Sequence, residues 1–169
     1  MYLKATGAII IGISSFFAGK TLYEEERKRV SELKKTVLFF QKLKEYTSDN
    51  YNISEAIEKS AQNTDFCIKK SVICFADNIS KDKNAEFKDI WNISKGEIYP
   101  LKKEDMQVIE MFFTSGKRHT EFQVINEADN VLQSLNSIIE KAEKDLPDRK
   151  KLYINSSVCI GILTVIMLI

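Results

Sequence analysis

Two uncharged, apolar stretches, Ala5 to Gly19 and Leu152 to Ile169, bracket a chain whose charged residues lie almost entirely between them. Such stretches restrict the fold more than anything in the middle, because each must be covered by a large core or by lipid. At 1.5 Å per residue the first covers roughly 22 Å, short of a hydrocarbon core of about 30 Å. With Lys4 and Lys20 reaching to the interfaces and Tyr2 and Tyr23 seated there, the span lengthens to residues 2–23, roughly 33 Å. A cleaved signal peptide is the competing reading, since Lys4, the apolar run and the small residues Ala18 and Gly19 match that pattern too. The second stretch, residues 152–169, covers roughly 27 Å without a charge, at a position where a signal peptide is no option.

Orientation follows from the basic residues. Lys20, Arg27, Lys28, Arg29, Lys34 and Lys35 follow the first stretch, and Arg149, Lys150 and Lys151 precede the second. The positive-inside bias then places residues 24–151 in the cytoplasm and both termini outside it. Reduced thiols at Cys67 and Cys74 suit that compartment. Small residues recur at steps of three and four in the first stretch (Ala5, Ala8, Gly12, Ser15, Gly19) and in the second (Ser157, Gly161, Thr164). They predict helix faces that pack on each other or on other membrane subunits, although glycine is common in such helices in any case.

Residues 24–151 read as a helical domain. From Thr21 to Lys151 there are two glycines and two prolines, far too little turn chemistry for a sheet. Val30, Leu33, Val37 and Phe40 mark one long helix, and Ile125, Ala128, Leu132, Leu135, Ile139, Ala142 and Leu146 mark another. Between them a polar loop is expected over Thr47 to Tyr51. Asn52 with Glu55 predicts a capping box that opens a helix through Ala56, Ile57 and Ala61. Phe66, Val72, Ile73, Phe75, Ala76 and Ile79 predict the next helix, broken at Lys81 to Asn84. Phe87, Ile90 and Trp91 predict a short one ended by Gly96 and Pro100, and Met106, Ile109, Met111, Phe112 and Phe113 a further one with Gly116 as its C-cap. Pro147 is expected to kink or stop the last long helix before the membrane. The fold class is therefore all-α: an antiparallel helical bundle flanked by one N-terminal and one C-terminal transmembrane helix.

Chemistry is hard to find in this chain. A formal charge of +1, from 25 basic and 24 acidic residues, gives no electrostatic case for nucleic acid, and three cysteines make no disulfide scaffold. There is no Gly-rich phosphate loop and no paired-cysteine motif, and the single histidine, His119, reads as a solvated turn residue. Cys67 and Cys74, seven apart on one predicted helix, read as core or flank residues. The run Glu24 to Arg29 reads as a solvated helix face that also anchors the interface. No catalytic, cofactor or metal site is expected.

Several short motifs recur in order along the chain: Ile53-Ser54-Glu55-Ala56, then Leu101-Lys102-Lys103-Glu104, then Gly116 followed seven residues later by Gln123, and Lys151-Leu152-Tyr153 leading into the terminal apolar stretch. In that order and spacing the chain resembles the stage III sporulation protein AB family nearly end to end. Three positions depart from the family pattern: His119 stands where an Asp is usual, Asn52 where a Pro precedes the family's Leu-x-Glu-Ala step (here Ile53-Ser54-Glu55-Ala56), and Pro147 in a stretch normally helical. The resemblance implies a non-enzymatic membrane subunit of the channel-like complex between mother cell and forespore. It is related to the inner-membrane platform protein of type II secretion and type IV pilus machines, whose helical cytoplasmic bundle meets a secretion ATPase. The implied location is the mother-cell membrane around the forespore. The implied partners are that cytosolic ATPase, other membrane subunits and the lipid bilayer. Glu55, Ala56, Leu101, Lys102, Lys103, Gly116 and Gln123 become structural or partner-binding positions by the same resemblance. Two other readings stand beside it: a platform of another secretion or pilus machine, and a membrane-anchored signalling module whose heptad-spaced helices dimerise.

Overall fold

The structure, a computed structural model, describes residues 2–82, 85–115 and 120–168, with side chains at residue 7 and, within those ranges, 10–167. Among these residues there are six helices and no strand: α1 (Tyr2–Ser48), α2 (Ile53–Gln62), α3 (Lys69–Lys81), α4 (Phe87–Ser94), α5 (Lys103–Thr114) and α6 (Glu121–Leu168). The all-α expectation holds. The helices form two compact units, one of residues 1–30 and 141–169, the other of residues 31–140.

In the 31–140 unit, α1 buries Leu33, Val37, Phe40 and Leu43 at steps of three and four, and Phe39 beside them. A stripe that wide faces a core. On α6 the buried face is Val124, Ala128, Val131, Leu132, Leu135 and Ile139, while Ile125, which was expected in it, is half-buried. The apolar pair Val124-Ile125 supports two faces one residue apart, and packing selects Val124, whereas Val131 and Leu132 are both buried. Lys44 on α1 pairs with Asp129 on α6.

Aromatic rings bind α1, α3, α4 and α5 into one cluster. Phe39 stacks on Phe66 at 5.0 Å, Phe40 meets Phe112 edge-on at 5.3 Å, and Phe75 meets Phe113 at 4.9 Å. Trp91 lies flat on Phe113, 4.2 Å between centroids and 7° between planes, and its indole N–H donates to Glu110 Oε1 at 3.2 Å. That bond is what lets a fully buried indole keep its donor satisfied.

Local chemistry sets the helix ends. The loop expected from Thr47 begins later, because α1 runs to Ser48. Thr47 is buried within the helix, its hydroxyl donating to Leu43 O at 2.7 Å. The stop itself is a Schellman motif: Tyr51 N–H donates to Tyr46 O at 3.3 Å and Asn50 N–H to Thr47 O at 3.2 Å, with Asn50 at φ 63°. The rings of Tyr46 and Tyr51 meet at 5.7 Å and supply the apolar contact that accompanies this turn. At the start of α2, Asn52 Oδ1 accepts the Glu55 N–H at 3.0 Å, and Ala56, Ile57 and Ala61 are buried as their spacing predicts. A cis Tyr99–Pro100 bond lies in a turn closed by Leu101 N–H on Ile98 O at 2.7 Å.

Two expectations are corrected and a third is narrowed. Cys67 and Cys74 do not share a helix, since α3 starts at Lys69 and Glu32 Oε2 on α1 accepts the Cys67 N–H at 2.7 Å, holding that segment against α1. Met111 is 63% exposed and points away from the core side of α5. Of the two outcomes expected at Pro147, a kink or a stop, the stop does not occur, since α6 runs through it. One missing amide leaves the rest of the 48-residue ladder in place. The expected C-cap Gly116, His119, and part of the break before α4 lie outside the described residues.

In the other unit, the segments of α1 and α6 lie antiparallel in one register. A Cβ on Gly19 would stand 2.6 Å from Ser157 Oγ, and one on Gly161 would stand 2.7 Å from Ser15 Oγ, so four residues on along one segment match four residues back along the other. The small-residue face thus divides. Gly19, Ser15, Ser157 and Gly161 form the contact, whereas Gly12 has open space around it, and Ala5 and Ala8 lie outside the described side chains. Polar groups continue the contact: Glu26 pairs with Arg29 at 3.3 Å and with Arg149 at 4.0 Å, and Lys150 sits 5.6 Å from the Tyr23 ring centroid. Away from this contact the two apolar stretches carry exposed side chains. Ile10, Ile13, Phe16 and Phe17 are exposed on one segment, and Ile160, Leu163, Ile166 and Met167 on the other.

Among the described residues one helix, Glu121–Met167, is long and apolar enough to cross a membrane, and its most apolar 18-residue window is only 6% buried. The second, N-terminal crossing is not established. The apolar run there falls short by itself and depends on Tyr2 and Lys4, whose side chains lie outside the described set.

Candidate functional site

The described motif positions sit at the starts of three helices, α2, α5 and α6. Glu55 opens α2 and lends its backbone N–H to the Asn52 cap, while its carboxylate is exposed; Ala56 beside it is fully buried. Leu101 is buried at 6% exposure. Lys102 is the N-cap residue of α5, and its N–H donates to Oδ2 of the fully buried Asp105 at 2.8 Å; Lys103, the first helical residue, is exposed. This bond from the N-cap amide to the Asp105 carboxylate fixes the entry to α5.

Gln123 caps α6. Its Oε1 accepts the Thr120 N–H at 2.9 Å, and Thr120 Oγ1 accepts the Gln123 N–H at 3.4 Å. This is a Thr-x-x-Gln capping box, a role for Gln123 that sequence reasoning missed although Thr120-Glu121-Phe122-Gln123 spells it out.

Glu55 is a motif residue that lines a cavity. A groove of about 1120 Å³ runs between α2, α3 and the start of α4. Its floor is Ile53, Ile73, Ile79 and Phe87, the last two buried. Among the described residues its lining carries four exposed carboxylates, Glu55, Glu58, Asp77 and Asp82, and one lysine, Lys70. Ser54 Oγ donates to Ala76 O at 2.7 Å and ties α2 to α3 across the groove. Lys81 bonds the lining Asp77 at 2.6 Å, which raises the lysine pKa from its ordinary value. No single stretch of sequence announces this groove, because residues 53–58 meet residues 70–82 only in the fold.

Among the described residues no group of three or more His, Cys, Asp or Glu could hold a metal ion. Cys74 is exposed in the groove. Cys67 is half-buried, and burial, reinforced by the Glu32 carboxylate, pushes its thiol up to about 11. A thiol held protonated to that degree is a poor nucleophile at neutral pH.

The profile of the stage III sporulation protein AB family matches residues 4–169. The chain belongs to that family. No curated protein and no solved structure matches it. For this stage III sporulation protein AB family member, the match takes in both apolar ends as well as the helices between them. Its motif positions divide into buried or capping residues (Ala56, Leu101, Lys102, Gln123), the surface residues Glu55 and Lys103, and Gly116, which lies outside the described residues.

Proposed function

We propose that the protein is a non-enzymatic membrane platform subunit of the secretion-like complex joining mother cell and forespore during sporulation. The observation that carries this reading is a sporulation-family match over residues 4–169 on a chain whose two ends expose Ile, Leu and Phe side chains along paired helices. Exposed apolar surface of that extent is stable against lipid and costly against water. Residues 2–23 and 152–169 are the two crossings, and the basic residues beside them put residues 24–151 in the mother-cell cytoplasm, with both termini across the membrane. There the helical domain docks a cytosolic secretion-type ATPase and transmits its conformational changes to the other membrane subunits. The chain hydrolyses nothing itself and holds no cofactor.

The test is a count of heat-resistant spores after disruption of the gene in its source organism, with a fluorescent fusion followed in the same cells and the ATPase sought by co-purification. Loss of spores after engulfment, signal around the forespore and co-purified ATPase are the expected results. Normal spore counts, or ATP turnover by the purified chain alone, would overturn the proposal.

A further inference from the structure

We infer that the groove between α2 and α3 is a docking site for a basic, amphipathic α-helix of a protein partner. The floor provides apolar surface, with Ile53 and Ile73 half-buried and incompletely covered by the chain's own side chains. A hydrophobic stripe on an incoming helix completes that burial at about 25 cal/mol per Å². Rim charge selects the partner's sign. Glu55, Glu58 and Asp77 face solvent around the floor, Lys70 is the one lining cation among the described residues, and Lys81 is bound to Asp77. Lysine or arginine flanking the stripe is attracted, and an acidic helix is repelled.

The walls decide between a helix and an extended strand. α2 and α3 use their backbone groups internally and offer no sheet edge, so an extended peptide would bring unpaired amides onto an apolar floor. A helix arrives with its backbone already satisfied. The inference stands on the groove alone, and its test involves neither an ATPase nor a spore count.

Cys74, exposed in the groove, reports on occupancy. The full chain is placed in phosphatidylcholine nanodiscs, and the rate of maleimide labelling at Cys74 is read by peptide mass spectrometry. The probe is a leucine–lysine peptide of about 14 residues with helical periodicity, four turns long. Its scrambled sequence and a leucine–glutamate counterpart serve as comparisons. The lysine helix should slow labelling roughly tenfold, the two comparisons little, and Glu55→Lys with Glu58→Lys should abolish the protection. Both glutamates are exposed, and far-UV circular dichroism checks that folding is retained. Glu55→Gln with Glu58→Gln, a milder pair, should weaken protection partway. Absence of protection, equal protection by all three peptides, or protection that survives charge reversal in a folded variant would each overturn the inference.

Discussion

Gly19 lies so close to Ser157 that an added Cβ would stand 2.6 Å from the serine Oγ and 2.8 Å from the carbonyl oxygen of Tyr153. A side-chain oxygen can rotate away, but a backbone carbonyl in a helix cannot move without its neighbours. At Gly161 the close atoms are both side-chain atoms of Ser15, and at Gly12 there is nothing within 4 Å. The three glycines therefore differ in what they permit.

Alanine substitution should separate them. Gly19→Ala should destabilise the detergent-solubilised protein by about 1–3 kcal/mol, the range for forcing extra volume into a packed contact. Gly161→Ala should cost less, and Gly12→Ala should leave the midpoint unchanged or raise it through helix propensity. Thermal melts of the three variants, read by circular dichroism, decide the order. A melt for Gly19→Ala like that of the parent would show that this contact is not made.

Trp91 stacks on Phe113 at the centre of the aromatic cluster. Trp91→Ala should cost about 3–5 kcal/mol by opening a cavity, and Trp91→Phe distinctly less, since it keeps the stacked face. Urea titration of the two variants checks both the size and the ranking.

Thr120 and Gln123 exchange bonds at the start of α6. Thr120→Ala should destabilise the fold by about 1 kcal/mol, and Thr120→Ser should restore most of that loss. An unchanged denaturation midpoint in Thr120→Ala would mean that this capping box contributes nothing.

The Cys67 thiol titrates near 11 in the folded chain against an ordinary 9.0. Its folded pKa is raised, so the unfolded chain releases the proton first, and the contribution to stability is complete below pH 9 and lost as pH rises toward 11. Cys67→Ser should flatten this alkaline decline, measured as the urea midpoint between pH 8 and 11. Glu32→Gln should speed alkylation of Cys67 at a fixed alkaline pH, because the Glu32 carboxylate adds to the effect of burial. A parent-like decline in Cys67→Ser would assign the loss to another group.

Much of the helix pattern was legible because it is local. Leu33, Val37 and Phe40 repeat at helical spacing and are buried, and Asn52 three residues before Glu55 caps α2 as that pair suggests. What was missed depends on distant partners. Cys67 reads as helical until Glu32, 35 residues earlier, takes its amide hydrogen. Ile125 reads as core until Val124 takes the inward position. Thr47 reads as loop because its composition is polar, yet its hydroxyl finds a carbonyl within its own helix. The candidate groove was invisible for the same reason, since its two walls come from separate helices.

The left-handed residue Asn50 closes α1 with bonds that reach no further back than Tyr46. Nothing beyond Tyr51 is needed to make that turn. At a synthesis rate of roughly 5–20 residues per second, residues 52–169 take about 6–24 s to emerge, whereas local helical structure relaxes in about a microsecond. The growing chain thus carries its own punctuation. The end of the first helix is written before the helices that will pack against it have been made.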